Sequence, residues 1–276
     1  MSGSPPPVIL DWIRSASFVR QVEWHDTIGS TNDRGNELAK NRELETPLLI
    51  MAGEQTAGRG RGGNRWWSGP GALTFTLVFN PLDDLTACGL RPVPTDYWPR
   101  VALVAGVSLC DVLQASIPAT ACQLKWPNDV LLGGKKVAGI LAEVPPAGPD
   151  VPRRLVLGLG VNVNNSLAAA PPEIQAVAAA LCDLSEERLD SAQILVDWLN
   201  MFSDRLDRLA AQDRALAERW QSLCVLRGKT IELQSGSRLV RGLCRGIDTD
   251  GALLLDTPQG PERLYAGVLV RVVPAS

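Results

Sequence analysis

A chain of 276 residues with 45% apolar content can bury a sizeable core as one large domain, or as a main domain plus a small one, without disulfide or metal staples. A net charge of −3 argues against a surface devoted to nucleic acid, and no run reaches the roughly 18 apolar residues of a membrane span. The six cysteines form no C-x-x-C pair and His25 is the only histidine, which argues against a zinc site or a Cys-His nucleophile and suits the buried, reduced thiols of a cytoplasmic protein.

The opening "MSGSPPPVILDW" lacks the basic region and apolar core of a secretory signal and reads as a proline-rich lead. After it, "FVRQVEWHDTIGSTND" predicts a strand that ends at a helix start. Ser30 is the N-cap, Asp33 three residues on suggests a capping box, and the helix runs from Thr31 to about Asn41. "PLLIMAGEQ" is a short strand, the glycine run after it a loop, and "ALTFTLVFN" a further strand rich in β-branched and aromatic residues. Residues 82–98, of mixed polarity and bearing prolines, predict an irregular connection with little bearing on function. "VALVAGVSLCDVLQAS" has helical spacing. "CQLKWPNDVLLGGKKVAGILAEV" predicts a strand, a turn at Pro127 and a hairpin with Gly133-Gly134 as its loop; "RRLVLGLGVNVNN" is a strand ending in asparagines. From Pro171 to Cys224 the pattern becomes helical, giving two or three amphipathic helices. The short strands "TIELQS", "RLVRGLCRGI", "GALLLDT" and "ERLYAGVLVRVV" then describe a small antiparallel barrel, dividing the chain into residues 1–225 and 226–276.

Two stretches carry chemistry. In "GEQTAGRGRGGNRWW" (53–67), Gly58, Gly60, Gly62 and Gly63 let backbone N–H groups approach an anion and take positive φ. Arg59, Arg61 and Arg65 add planar forks for phosphate or carboxylate oxygens, and Trp66 and Trp67 offer faces to a purine or to the core. The sum is an anion clamp beside a stacking surface, although it fits neither the dinucleotide fingerprint nor the P-loop. A solvated surface loop is the plain alternative, and an RNA-binding arginine-glycine segment a further one, disfavoured because the motif occurs once, between two strands. In "QLKWPND", Lys125 ends an apolar strand where a lysine can meet a ligand's phosphate or carboxylate, while Asn128 and Asp129 are ordinary turn formers.

The ordered set "STN" (30–32), "GRGRGGNRW" (58–66), "KWPND" (125–129), "KKVAGILAE" (135–143) and "GLGVNVN" (158–164) resembles that of the biotin–protein ligases, also called biotin–[acetyl-CoA-carboxylase] synthetases, from about residue 22 to 273. The resemblance implies an α/β (α+β) fold: a mixed-sheet, class-II-synthetase-like catalytic domain related to lipoate ligases, followed by an SH3-like β-barrel. It implies that Ser30, Thr31, Asn32, Gln55, Gly58, Arg59, Arg61, Lys125 and Gly139 surround biotin. Arg59, Arg61, Trp66, Asn128, Lys136 and Asn162 would face ATP, with Lys125, Arg59 and Arg61 catalytic and no side chain dedicated to a metal. Thr31 also reads as a helix cap and Asn162 as a strand terminator. Mg²⁺ accompanies ATP, and a biotin carboxyl carrier protein or domain is the partner. Asn64 stands where many bacterial members carry arginine, removing one guanidinium. The short lead leaves no room for the helix-turn-helix of ligases that double as repressors, so the expectation is a monofunctional cytoplasmic enzyme, monomer or homodimer, without DNA or membrane partners. A lipoate or octanoate ligase of the same fold, and a non-catalytic RNA- or partner-binding module, are the rival readings.

Overall fold

Segments of four to nine residues form the seven strands of one mixed sheet in the computed structural model, which describes residues 7–185 and 187–273. The elements, in chain order, are α1 (Pro7–Ala16), β1 (Gln21–Ile28), α2 (Thr31–Leu38), β2 (Leu48–Gln55), β3 (Leu73–Phe79), α3 (Asp83–Ala87), α4 (Val101–Ser116), β4 (Cys122–Lys125), β5 (Asp129–Leu132), β6 (Lys135–Glu143), β7 (Leu155–Val161), α5 (Pro172–Val177), α6 (Ser191–Ala210) and α7 (Arg214–Leu223). A second, antiparallel sheet follows from β8 (Thr230–Ser235), β9 (Arg238–Ile247), β10 (Leu253–Thr257), β11 (Gly260–Leu264) and β12 (Val268–Val272). The large sheet has the order β1-β2-β3-β7-β6-β5-β4, with β1 and β2 parallel and the other pairs antiparallel.

Strands β3 and β7 are buried at every residue because both faces of the sheet are covered. Alternation sorts their side chains. Phe75 and Phe79 face α6, where Phe75 meets Trp198 edge-on at 5.1 Å and Phe79 meets Phe202 at 6.1 Å. Thr76, Val78 and Val156 point the other way, to α2, and Gly35 lets that helix sit close upon them. The candidate site lies on this second face, beside the N-terminus of α2.

Several elements depart from expectation. The proline-rich lead contains α1, which places Ile13 in the core with Ile9, Trp12 and Ala16 beside it at helical spacing. Helix α2 stops at Leu38, three residues short, because "TNDRGNEL" is built of weak helix formers. Buried Arg154 then donates to the carbonyls of Ala39, Asn41 and Leu44 beyond its end. Only one bond of the capping box is made: Asp33 N–H donates to Ser30 Oγ at 3.4 Å, and the Asp33 carboxylate turns to Arg59. Residues 82–98 hold α3 and the start of a 3₁₀ turn, with Val93 and Trp98 buried. The last sequence segment splits into β11 and β12. The break is at Gly267, where a Cβ would lie 2.2 Å from Leu233.

The second sheet has the order β11-β10-β9-β8-β12 and shares the main core, since Leu226, Ile231 and Leu233 join the cluster containing Val101 and Leu103. Its β9–β10 turn is bonded to the large domain: Trp126 Nε1 donates to Gly251 O at 3.1 Å, Trp220 Nε1 to Asp248 O at 2.9 Å, and Arg100 pairs with Asp250 at 3.0 Å. Cys110, Cys122, Cys224 and Cys244 are buried, as small apolar side chains, and Cys88 is exposed. No helix among the described residues is long and apolar enough to cross a membrane.

Candidate active site

A cavity of about 260 Å³ opens on the α2 face of the large sheet. Its polar end is built by residues that follow directly from the end of β1 and the cap of α2. Thr31 donates from both N–H and Oγ1 to Gln55 Oε1, at 2.8 and 3.1 Å, which leaves the Gln55 amide N–H groups to face a ligand. Thr76 Oγ1 lies 2.8 Å from Thr31 Oγ1 and 2.7 Å from Asn32 Oδ1. Asn32 Nδ2 donates to Leu141 O and Glu143 Oε2. Thr31 and Asn32 are 3% and 5% exposed, so this network is rigid, and buried polar groups so paired are costly to disturb. The floor is made of glycines. A Cβ on Gly158 would lie 1.7 Å from Asn32 Oδ1, and one on Gly160 would lie 2.3 Å from the Trp66 ring.

The glycine-arginine stretch is a small hairpin rather than a free loop. Trp66 N–H donates to Gly58 O at 2.9 Å and Gly60 N–H to Asn64 O at 2.7 Å, and a 3₁₀ turn at Arg61–Gly63 forms the tip, with Gly62 and Gly63 at positive φ. The arginines diverge. Arg59 forks onto Glu143, Nη2–Oε1 2.7 Å and Nη1–Oε2 3.0 Å, and this bond raises its pKa. Arg61 is half-buried with no hydrogen-bonded partner for its guanidinium among the described residues; burial lowers its pKa, opposed by attraction to Asp129. Trp66 lies over the Gly139–Gly160 pair, and its indole N–H is buried without an acceptor among the described residues. Lys136 Nζ sits 5.7 Å from the ring centre and 2.6 Å from Asp129 Oδ1.

Lys125, the last residue of β4, lines the cavity with no ion-pair partner among the described residues. Its neighbours are locked. Trp126 is 2% exposed and held by Gly251 O, and Asn128 Nδ2 donates to Ile140 O at 2.7 Å, fixing the turn to β6.

Of the residues marked in the sequence, Ser30, Thr31, Asn32, Gln55, Arg59, Arg61, Trp66, Lys125, Asn128, Lys136 and Gly139 line this one cavity. Gly58 sits at the hairpin root, where a Cβ would meet Trp66 O at 2.6 Å, and borders the neighbouring groove. Asn162 is outside the cavity lining: its side chain is buried, donating to Ala179 O and accepting from Asn165, which is the strand-end role. Three contributions went unmarked. Glu143 closes "KKVAGILAE" and could have been noticed as a charge ending an apolar strand; Thr76 sits inside a β-branched run, and Gly267–Leu269 come from the second sheet. Nothing local marks these last two.

A mixed sheet carrying an arginine hairpin and a strand-end lysine over one cavity defines a carboxylate-activating ligase domain, and the comparisons agree. Residues 24–162 match the model of the Biotin/lipoate A/B protein ligase family, and residues 227–270 that of the Biotin protein ligase C terminal domain. The chain belongs to the biotin/lipoate A/B protein ligase family. Within it, the chain is similar to the biotin–[acetyl-CoA-carboxylase] ligase of Mycobacterium tuberculosis H37Rv, 35% identical over 267 residues that cover 94% of this chain and 92% of that one. It is also similar to the bifunctional ligase/repressor BirA of Bacillus subtilis 168, 32% identical over 88% of this chain and 71% of the relative. Among solved structures, the biotin protein ligase of Aquifex aeolicus in complex with biotin and ATP superimposes with a TM-score of 0.74 at 26% identity, covering 92% of this chain and all of that one.

Proposed function

We propose that this protein is a biotin–protein ligase that joins biotin to ATP as biotinyl-5′-AMP, releasing pyrophosphate, and then transfers the biotinyl group to a lysine of a carboxylase carrier domain, releasing AMP. One observation carries the reading: a chain of net charge −3 brings Arg61, Arg65 and Lys125, none of them ion-paired among the described residues, to a single cavity, beside Arg59 and Lys136, which are paired with Glu143 and Asp129. Such a site is made for an anion, and its other end is a rigid polar pocket sized for a small head group.

The chemistry follows from placement. The biotin carboxylate attacks the α-phosphorus of ATP and the bond to the pyrophosphate oxygen breaks, while negative charge grows on the phosphoryl oxygens; catalysis is positioning plus fixed cationic donors. Lys125 and Arg61, whose charged groups have no hydrogen-bonded partner among the described residues, supply those donors. Trp66 offers a ring face and a free indole N–H to the nucleotide, with Lys136 beside it. ATP enters as its Mg²⁺ complex, the ion being part of the substrate. In the second step the carrier amine attacks the acyl carbonyl and AMP departs as a stable leaving group, so no protein nucleophile is needed.

The same reading divides the chain at residues 225/226, places it in the cytoplasm as a monomer or homodimer, and gives DNA no part in its work. Biotin-dependent ATP–pyrophosphate exchange by the purified chain tests it. Exchange with biotin that lipoate fails to compete supports biotin as the substrate, exchange driven by lipoate moves the assignment to the sister activity, and no exchange with either refutes it.

A further inference from the structure

Glu143 ends β6 with a carboxylate ringed by donors. Arg59 reaches it with both terminal nitrogens, Asn32 Nδ2 and Asn36 Nδ2 bond Oε2 at 3.1 and 2.9 Å, and Arg59 Nη1 also bonds Asp33 Oδ1 at 2.8 Å. A planar fork on a carboxylate fixes direction as well as distance. The Arg59 guanidinium is thus engaged by the protein itself, at the hairpin root, while Arg61 at the tip is half-buried and has no partner for its guanidinium among the described residues. The bonds continue inward: from Glu143 through Asn32 to Thr76, Thr31 and Gln55, the polar end of the cavity.

We propose that Glu143 is a positioning residue for the ligase reaction: through Arg59 it pins the root of the arginine hairpin to the start of α2, so that the tip and Arg61 close over the bound adenylate. Arg59 on this view is an anchor, and the phosphate contact expected of it from the family resemblance falls to Arg61 and Lys125. The inference rests on the ligase reading for its ligand, but its geometry is independent of it.

Glu143→Gln keeps the size of the side chain and removes its charge. In this variant the adenylate should dissociate about tenfold faster, the scale of one hydrogen bond to a charged group, a larger change than that in the single-turnover rate of its formation at saturating biotin. Trypsin should cut the ligand-free variant after Arg61 and Arg65 several-fold faster than wild type, with an unchanged circular dichroism spectrum. Because both residues act in one contact, Arg59→Ala combined with Glu143→Gln should release the adenylate no faster than the worse single variant. If Glu143→Gln alters neither dissociation nor trypsin cleavage, the anchor does not exist; if Arg59→Ala also slows adenylate formation a hundredfold or more, Arg59 is a direct phosphate contact. Should the wild type form no adenylate at all, the ligase reading fails, and the trypsin comparison still decides whether Glu143 holds the hairpin.

Discussion

The two walls of the cavity are built in opposite ways. The wall made by Ser30–Asn32, Gln55, Thr76 and the glycine floor is buried except at the half-buried Gln55 and is tied by hydrogen bonds, and it belongs to strands β2, β3 and β7 and a helix cap. The facing wall, Gly58 to Trp66, is a hairpin with positive-φ glycines at its exposed tip and, among the described residues, one arginine without a hydrogen-bonded partner for its guanidinium and one indole N–H without an acceptor. A pocket for a compact neutral head group gains from being preformed, whereas a surface that must seal over a phosphate and later release it gains from donors still waiting for their acceptor. The molecule is finished on one side of the ligand and unfinished on the other.

Lys125 sits between the walls and gives the largest expected effect. Lys125→Ala should slow adenylation by at least about two orders of magnitude, as when one preorganised charge-stabilising donor is removed. The melting temperature should stay near wild type, because the ammonium has no partner among the described residues to lose. Undiminished pyrophosphate exchange would place the reaction elsewhere and dissolve the comparison.

The movable wall is probed by Arg61→Gly. Losing one charge-assisted bond, about 1.5–3 kcal/mol, should raise escape of the adenylate roughly ten- to a hundredfold while leaving its formation comparatively intact. Bystander lysines on unrelated proteins would then be labelled, where the wild type labels only its carrier. A variant that retains the adenylate and labels no bystanders would mean that the hairpin is a passive connection.

One chemical change made on each wall sharpens the contrast. Gly158→Ala drives a methyl into Asn32, and overpacking of this kind costs about 1–3 kcal/mol. The expected result is a lower melting temperature together with a biotin KM raised about tenfold, the equivalent of 1.4 kcal/mol. Gly62→Ala meets no atom and costs only the backbone strain of φ 63°, about 1–2 kcal/mol for a side chain in that region. It should slow hairpin closure and leave biotin binding alone. Equal effects on biotin KM from the two would show that the walls are not mechanically distinct.

What the sequence announced and what it concealed divide along a related line. The strands, the Gly133-Gly134 turn, the Ser30 cap and the motif strings were legible because each is written in neighbouring residues, and ten of the site residues gathered around Lys125 come from those strings or from Gln55. Contacts between distant residues carried no such mark: Arg59 to Glu143 spans 84 positions, and Trp126 to Gly251 spans 125. The second case matters for Lys125, since the small sheet holds the residue next to it, and β12 brings Gly267–Leu269 to the cavity rim. Asn162 shows the converse, a residue of the motif whose side chain serves the strand end. Helix α2 fell short because its composition opposes it and tertiary bonds from Arg154 take over.

The smallest expected effect is one of pH, and it separates the anchored root of the hairpin from its free tip. Burial by itself raises the Glu143 carboxyl, but the bonds from Arg59, Asn32 and Asn36 outweigh it and hold the group below its ordinary value of 4.5. A carboxyl depressed in the folded state contributes stability that is fully present above its unfolded value and is lost as pH falls through the folded one. Retention of the adenylate should therefore be flat from about pH 8 to pH 5 as far as this group is concerned, and should weaken only below about 4.5, where the Arg59 fork loses its partner. Arg61 keeps its charge throughout that range and contributes no step of its own. The measurement is dissociation of labelled adenylate after a pH jump, with near-ultraviolet circular dichroism followed in parallel so that only conditions with native packing are compared. Wild type should show the acid step and Glu143→Gln, already released, should not. If the two proteins lose the adenylate with the same pH dependence over the whole acid range in which native packing persists, the acid-sensitive element lies elsewhere, and the root of the hairpin is as loosely held as its tip.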